Sequence, residues 1–204
     1  MTHRVISMEW RTTDRMIYYT SDLHLGHANV IRHCNRPFSS VEEMDAVLIS
    51  NWNKKVHKND TVYIVGDFIF RNTLPTEQYL VQLKGKKHLI VGNHDKQWMK
   101  QIDSVQFFES ISPMLTIHDC EYLVTLCHYP LMTWPGGKDA YMVFGHIHNN
   151  RDLDFWPLIA AKDHMLNAGV DVNGFAPVSL DEMKVNNKSF KEESYENGSP
   201  STSG

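Results

Sequence analysis

Five short apolar runs alternate with more polar stretches along this 204-residue chain. Each run has the length of one β-strand, and several carry the β-branched and aromatic residues that strands favour. The runs end at Thr20, Val65, Val91, Leu126 and Phe144. We therefore expect a strand at each of these places.

Helical spacing appears between the strands. Apolar residues recur on one face from Val41 to Trp52, with two serines before them as candidate caps and acidic residues in the first turn. A shorter helix is predicted over 76–83. This strand–helix–strand opening is typical of an α/β fold with a parallel sheet core. From Val105 onward the strands are shorter and helices fewer, so we expect a mixed or antiparallel sheet there.

Both ends of the chain differ from this alternating middle. We interpret residues 1–15 as an N-terminal extension outside the core, and residues 16–186 as one domain. Residues 187–204 are polar and rich in serine and glycine. Such a segment cannot bury enough apolar area to offset its ordering entropy, so a disordered tail is predicted.

The composition is that of an ordinary single-domain protein of 23.6 kDa, with 42% hydrophobic and 22% charged residues. The formal net charge of −4 argues against bulk nucleic-acid binding, which needs a basic surface. It still admits nucleotides as substrates, because metal ions can supply positive charge locally.

Three cysteines, Cys34, Cys120 and Cys127, form an odd set without C-x-x-C spacing. This favours free thiols in a reducing compartment. The sequence has no run of roughly 18 apolar residues and no signal-like apolar segment at its start. We therefore expect a cytoplasmic protein with no membrane partner.

Histidines, carboxylates and glycines gather directly after the apolar runs. The segments are Asp22-Leu23-His24, Gly66-Asp67, Gly92-Asn93-His94-Asp95, His128 and Gly145-His146-Ile147-His148. Because strand ends from distant parts of a chain can meet at one sheet edge, these side chains can converge. Carboxylate oxygens and imidazole nitrogens suit Mn²⁺, Fe or Zn²⁺. The order and spacing therefore indicate a site for two metal ions.

Each segment also has an ordinary interpretation when taken singly. A D-x-H pair is frequent by chance, and two alternating histidines can lie on the surface of a strand. A G-N-H-D turn can simply cap a helix. Five such signals in this order are very improbable by chance, which favours one shared site.

In that order the segments resemble the calcineurin-like metallophosphoesterase superfamily, whose pattern is D-x-H, G-D, G-N-H-[DE], H and G-H-x-H. The resemblance covers roughly residues 16–185. The resemblance is closest to small bacterial and phage members without a cap domain, which have an R-P-F segment and a helix that ends in W-N. In this chain these segments are Arg36-Pro37-Phe38 and Asn51-Trp52-Asn53. The resemblance implies a four-layer α/β/β/α sandwich with two mixed β-sheets and a site at the carboxyl ends of strands.

The resemblance also implies a set of metal ligands. One ion would be held by Asp22, His24 and His148. The other would be held by Asn93, His128 and His146. Asp67 would bridge the two ions, which would be Mn²⁺ first, with Fe, Zn²⁺ or Ni²⁺ as alternatives.

Catalytic roles follow from the same resemblance. A hydroxide bridging the metals, beside Asp67, would attack phosphorus. His94 holds no metal and would protonate the leaving oxygen or orient the phosphoryl group, the usual task of a free histidine. Asn93 and His94 would also contact the substrate. Asp95 is expected to cap a helix or to orient a ligand.

The substrate-binding groups are less well defined by the motifs. Many phosphatases of the superfamily have the pattern G-D-x-x-D-R-G after the second strand, and this chain departs from it with Gly66-Asp67-Phe68-Ile69-Phe70-Arg71. Arg71 and Arg36 are therefore both candidates for the arginine that binds substrate. His27 either faces the phosphate or hydrogen-bonds a ligand residue.

The sequence therefore predicts a dinuclear metal-dependent phosphoesterase. A diester is favoured as substrate, since no inserted segment is large enough for a cap domain. The expected substrate is a small phosphoester or nucleotide, and the expected assembly is a monomer or homodimer. Two alternatives are a catalytically silent scaffold of the same fold and a mononuclear or purely structural zinc protein. The zinc protein fits poorly, because structural zinc sites favour cysteine-rich ligand sets.

Overall fold

The computed structural model describes residues 15–71 and 74–196, with side chains to residue 192. The strands are β1 (Ile17–Thr20), β2 (Thr61–Ile64), β3 (Lys86–Ile90), β4 (Ser110–Ser112), β5 (Met114–Asp119), β6 (Tyr122–Cys127), β7 (Ala140–Phe144) and β8 (Met165–Asn167). The α-helices are α1 (Ala28–His33), α2 (Val41–Lys55), α3 (Thr76–Leu80), α4 (Asp95–Trp98), α5 (Trp156–Ala160) and α6 (Leu180–Glu196). Among these described residues, no helix combines the length and the apolar character that crossing a membrane requires.

The strands form two four-stranded sheets. In the first sheet, β1, β2, β3 and β4 lie in sequence order and all pair in parallel. In the second sheet, β5 and β6 are antiparallel, whereas β6, β7 and β8 are parallel. The mixed second sheet is confirmed. In the first sheet the four strands are parallel because helical crossovers return the chain to the same end each time, and an isolated antiparallel bridge joins Tyr19 of β1 to Val178.

Alternate residues of a strand face opposite sides of its sheet, and here they contribute to three apolar clusters. Three clusters between packed layers imply four layers. On β2, Val62 faces the cluster that contains helix residues such as Trp52, whereas Tyr63 faces the second sheet. On β7, Val143 lies in the cluster between the sheets, and Phe144 packs outward in the cluster that contains α5. The predicted α/β/β/α sandwich is thereby confirmed.

The predicted disorder of residues 187–204 is corrected for residues 187–196, which form the end of the final helix. The helix α6 continues to Glu196, and Asn187, Phe190 and Lys191 are all buried. The ring of Phe190 packs against that of Trp156, with centroids 5.1 Å apart. A polar composition hid a narrow stripe of residues at helical spacing that the outer face of the second sheet buries. Residues 197–204 and 1–14 lie outside the described residues, so the expectations for them stay predictions.

Asn187 joins α6 to the end of β8. Its amide oxygen accepts from the backbone N–H of Asn167 at 2.6 Å, and its amide nitrogen donates to the carbonyl of Asn167 at 3.0 Å. The same nitrogen donates to the carbonyl of Met183 at 3.0 Å. The side chain thus satisfies the backbone groups of the strand end as a further strand would.

We expect Asn187→Ala to lower the free energy of unfolding by roughly 1–3 kcal/mol, because the buried N–H of Asn167 loses its acceptor. Urea denaturation followed by circular dichroism measures the change. The control is Lys188→Ala, an exposed position one residue further along α6, where a change within about 0.5 kcal/mol is expected. Equal stability of Asn187→Ala and wild type would contradict the proposed junction.

Candidate metal centre

Parallel pairing brings the ends of several strands to one edge of the molecule. Thr20 pairs with Ile64, and Ile64 pairs with Leu89, so β1, β2 and β3 end almost level. The second sheet meets the first at this edge, where Ser21 bridges to Gly169. The residues after the strands therefore share one rim.

The backbone at this rim is unusual. Nine non-glycine residues of the described chain have positive φ, and six of them are predicted site residues. The six are Asp22 (φ 56°), His24 (φ 50°), Asp67 (φ 53°), Arg71 (φ 51°), His146 (φ 70°) and His148 (φ 50°). Such conformations cost free energy in residues with a side chain and tend to gather where function requires them.

Two glycines allow the segments to approach one another closely. A Cβ at Gly92 would overlap the Asp67 carboxylate, and a Cβ at Gly145 would overlap the hydroxyl of Ser21. Any other residue there would force apart the strand ends that carry the ligands. The glycines of the G-N-H-D and G-H-x-H segments are thus required by this contact.

Asp22, His24 and His148 form one group of potential metal ligands. Their ligand atoms, one from each residue, all lie within 4.8 Å of one another. Both ring nitrogens of His24 are buried and have no hydrogen-bond partner. A buried polar atom without a partner is costly, and a metal ion would supply the missing one. The predicted first ligand set is therefore brought together, and His24 fits a cation.

A second group adjoins the first. The ligand atoms of Asp22, Asp67 and His128 also lie within 4.8 Å of one another, so Asp22 belongs to both groups. The Asp67 Oδ2 atom is 3.4 Å from His128 Nε2 and 3.7 Å from His24 Nε2. This central carboxylate therefore faces imidazoles of both predicted ligand sets, as a bridging residue must.

Asn93 and His146 complete the neighbourhood. The amide oxygen of Asn93 lies 3.0 Å from His128 Nε2. The ring of His146 is 5.2 Å from that of His128 between centroids, and its backbone N–H donates to both oxygens of Asp22 at 3.1 and 3.0 Å. The other five predicted ligand residues thus lie around the carboxylates of Asp22 and Asp67.

The carboxylates and imidazoles shift one another's protonation. Burial alone raises the pKa of Asp67, but contact with His128 and the backbone N–H of His94 outweigh it and lower this pKa to about 2. Burial lowers the pKa of His128, but contact with Asp67 and the charge of Asp22 raise it to about 9. Burial, followed by the charge of His148, holds the pKa of His24 well below its ordinary value. A cation here would replace protons in balancing the carboxylates.

His94 stands at the edge of the two ligand groups. Its backbone N–H donates to Asp67 Oδ1 at 2.9 Å, and its Nε2 is 3.9 Å from Asp67 Oδ2. The side chain is 35% exposed, whereas those of the candidate ligands Asp67 and His128 are buried. The ring is therefore held beside the carboxylates yet can reach a substrate from solvent.

Asp95 takes the orienting role expected of it. It accepts hydrogen bonds from the backbone N–H groups of Asp67, Phe68 and Gly92 at 2.7–2.9 Å, and from Trp98 Nε1 at 2.9 Å. It is fully buried, which raises its pKa. The carboxylate joins the turn after β2 to the start of α4, and so fixes the backbone of Asp67.

The prediction that Arg36 binds substrate is corrected. Its side chain is buried and donates to both oxygens of Asp171, at 2.7 and 3.0 Å. It also donates to the carbonyls of Asp22 and Leu23 at 2.7 and 2.9 Å. Arg36 therefore braces the D-x-H turn from within, because its donors are already engaged.

Asp171 is a residue that the motifs missed. Its Oδ2 lies 2.9 Å from His148 Nδ1, so it orients the ring and leaves Nε2 for a metal. Burial alone raises the pKa of Asp171, but the contacts with His148 and Arg36 outweigh it and lower that pKa. The available signal is a single carboxylate in the otherwise apolar run from Ala168 to Val172.

His27 and Arg71 lie beside the ligand groups without joining them. The ring of His27 is 4.8 Å from that of Phe70, and burial with the charges of His94 and Arg71 lowers its pKa to about 4. Its Nδ1 atom has no hydrogen-bond partner. Arg71 is exposed, with its guanidinium 5.2 Å from the Phe70 ring centroid. Their contact with substrate stays a prediction.

Two cavities open around His94. A cleft of about 760 Å³ is lined by His24, His27, His146 and His148 among others. A neighbouring pocket of about 510 Å³ is lined by residues 69–71, α3 and α4. Because His94 lines both, it stands at their boundary.

Two sheets with histidines and carboxylates at their strand ends define an α/β protein with a candidate site for metal ions. The calcineurin-like phosphoesterase family model matches residues 16–193. The chain therefore belongs to the calcineurin-like phosphoesterase family. Together, the family and the ligand groups support a metal-dependent phosphoesterase.

Similar proteins occur in archaea, phages and bacteria. An uncharacterized protein of Methanocaldococcus jannaschii is 40% identical over 169 residues, covering 82% of this chain and 88% of that protein. The gene 66 protein of Mycobacterium phage L5 is 40% identical over 197 residues, covering 81% of this chain and 91% of that protein. A crystal structure of a protein of unknown function from Aquifex aeolicus aligns with a TM-score of 0.66 and 26% identity, covering 84% of this chain and 99% of that one.

We expect Asp171→Asn to weaken Mn²⁺ binding by about 10- to 100-fold, the usual cost of losing such an orienting partner. Asparagine keeps one acceptor oxygen in place of two, so its amide nitrogen faces a donor nitrogen of Arg36 or His148. This unfavourable contact disturbs the direction of the His148 ring. Calorimetric titration of chelator-stripped protein with Mn²⁺ measures the affinity.

The matched control is Asp119→Asn. Asp119 accepts from the hydroxyl of Tyr19 at 2.8 Å and pairs with Tyr122, at the end of β6 away from His128. Normal Mn²⁺ affinity is expected for this variant. Equal affinities of Asp171→Asn and wild type, or equal losses in both variants, would refute the orienting role.

Proposed function

We propose that this protein is a dinuclear metal-dependent phosphodiesterase. The observation that carries the proposal is the pair of overlapping ligand groups that share Asp22, with the orphaned His24 nitrogens between carboxylates. Asp22, His24 and His148 would hold one ion, and Asn93, His128 and His146 the other. Asp67 lies between the sets and would serve both.

Two divalent ions, with Mn²⁺ as our first choice, would supply positive charge to the phosphoryl oxygens and make hydroxide available near neutral pH. The side chains set how much of that charge is left. Asp22 and Asp67 cancel two of four positive charges, whereas Asn93 contributes a neutral oxygen. The remaining charge attracts a diester anion, and attracts its more highly charged transition state still more.

His94 is the proton donor in this proposal. Hydrolysis forms a bond between water oxygen and phosphorus and breaks the bond from phosphorus to the leaving alcohol oxygen. That oxygen needs a proton, which His94 can give from its position at the cleft edge. The hydrogen bond from its backbone N–H to Asp67 keeps the ring close to the ligand groups.

Two cavities beside His94 support a diester over a monoester. A monoester has one organic substituent, whereas a diester has two, and each needs space beside the phosphorus. The 760 Å³ cleft and the 510 Å³ pocket meet at His94, so each substituent has a place.

A reducing compartment such as the cytoplasm belongs to the proposal. Cys34, Cys120 and Cys127 are all free in the described chain. Free thiols persist where glutathione and thioredoxin keep them reduced.

We expect chelator-stripped protein to hydrolyse bis-p-nitrophenyl phosphate only after Mn²⁺ is added, and faster than p-nitrophenyl phosphate. Release of nitrophenolate measures both rates. A faster monoester reaction would contradict the diester preference. The absence of turnover with Mn²⁺, Fe²⁺, Zn²⁺ and Ni²⁺ alike would favour a catalytically silent scaffold.

Two variants should separate proton transfer from metal binding. We expect His94→Ala to keep its Mn²⁺ content and to lose about 10²- to 10⁴-fold in kcat, the range for a general acid. Asp67→Ala should lose Mn²⁺, because both ligand groups face that carboxylate. Elemental analysis and steady-state kinetics measure the two effects.

The control is His118→Ala, an exposed histidine on β5, which should match wild type in both measurements. Normal Mn²⁺ content in Asp67→Ala would refute its place between the ions. Normal turnover in His94→Ala would refute its role as proton donor.

A further inference from the structure

The 510 Å³ pocket has a wall in common with the cleft. The Phe70 ring lies 4.0 Å from the His94 ring and 4.8 Å from the His27 ring, between centroids. His27 lines only the cleft, whereas Phe70 lines only the pocket, so the Phe70 and His94 rings separate the two spaces. We call this space the His94 pocket, lined by Phe70, Arg71, Thr76, Glu77, Gln97 and Trp98.

A buried hydroxyl in this pocket has no partner. Thr76 is 3% exposed, lines the pocket, and its Oγ1 makes no hydrogen bond. A buried hydroxyl normally finds a partner, because leaving it without one destabilises the protein. A ligand with a polar group in the pocket would supply that partner. This observation is independent of His94 and of the metal ligands.

The charges of the pocket disfavour a second phosphate. Arg71 and Glu77 contribute one charge of each sign, and Gln97 and Gln101 contribute neutral amides. Phosphate recognition instead relies on clusters of arginine. The pocket therefore fits an uncharged group.

The remaining walls fit a flat, polar ring system. Phe70 is partly exposed and offers an aromatic surface on which a planar base can stack, whereas Trp98 is buried and contributes apolar wall. The amides of Gln97 and Gln101 lie on exposed parts of the wall and can donate to and accept from the edge of a base. A volume of about 510 Å³ is in the range of small-molecule sites.

We propose that the His94 pocket binds the leaving alcohol of the diester and that this alcohol is a nucleoside. The proposal rests on the proposed phosphodiesterase function. The oxygen that His94 protonates must lie beside its ring, at the boundary of the cleft and the pocket. The phosphoryl group then occupies the cleft, and the alcohol attached to that oxygen extends into the pocket.

Atoms and charges balance in this step. Water gives one proton to solvent, and its hydroxide oxygen bonds to phosphorus. The bond from phosphorus to the nucleoside oxygen breaks, and the proton of His94 goes to that oxygen. The nucleoside leaves uncharged, which matches the balanced charges of the pocket. His94 then regains a proton from solvent.

Direct binding tests the pocket without turnover. Adenosine, guanosine, cytidine and uridine are titrated separately into metal-free protein in a calorimeter. We expect at least one nucleoside to bind, and Thr76→Val to weaken that binding by roughly three- to tenfold, the value of one hydrogen bond. Gln97→Ala, at an exposed position that folding tolerates, should weaken it as well.

The matched control is Thr116→Val. Thr116 lies on β5 and hydrogen-bonds Thr125 at 3.1 Å, away from the pocket. Nucleoside binding should be unchanged in this variant. Mn²⁺ content should be normal in all three variants, because none of the three residues belongs to the ligand groups.

The outcomes separate this inference from the proposed function. The pocket assignment is overturned if the protein hydrolyses a diester but binds no nucleoside. It is also overturned if a nucleoside binds but neither Thr76→Val nor Gln97→Ala weakens that binding. In both cases the proposed phosphodiesterase activity stands. Nucleoside binding that depends on Thr76 or Gln97 supports the pocket. If no diester is turned over in that case, the proposed function fails while the nucleoside site stands.

Discussion

Two carboxylates buried at one sheet edge are the constraint on which the site depends. Asp22 is fully buried and Asp67 is 2% exposed, so water cannot stabilise their charge. An ionised carboxylate in such a place requires hydrogen bonds and positive charge from the protein or from a bound cation. The backbone N–H groups of His146 and His94 provide part of this, and the surrounding imidazoles provide more. The left-handed turns are the backbone cost of that arrangement.

The ligands are held in turn by a second set of buried groups. Arg36 and Asp171 connect the D-x-H turn to the ring of His148. Asp95 does the same for the turn that carries Asp67. A buried charge pair contributes little net stability by itself, because its desolvation offsets the attraction. Its effect here is directional, since each carboxylate oxygen fixes the position of a particular ligand or turn.

The strands, the main helices and the convergence of the candidate ligand residues can be predicted from sequence because each depends on a local pattern. A strand end followed by D-x-H or G-N-H-D is visible in one short segment. The role of Arg36 was not visible, because its partner Asp171 lies 135 residues away in sequence. Disorder was predicted where α6 forms for a similar reason. The composition after Asn187 is polar, and only the packed sheet shows which residues of the helix are buried.

The walls of the proposed nucleoside pocket are harder to predict from sequence than the candidate metal ligands, because they leave no local motif. Metal ligands must meet at fixed distances, so they require particular residues, glycine contacts and left-handed turns that leave a motif. The walls of the His94 pocket need only shape, polarity and a hydroxyl such as that of Thr76, which many sequences can supply. The candidate ligands therefore lie at the strand ends, whereas residues of the proposed nucleoside pocket lie on the helices α3 and α4 beside them. His94 belongs to both, because its backbone contacts Asp67 and its ring faces the pocket.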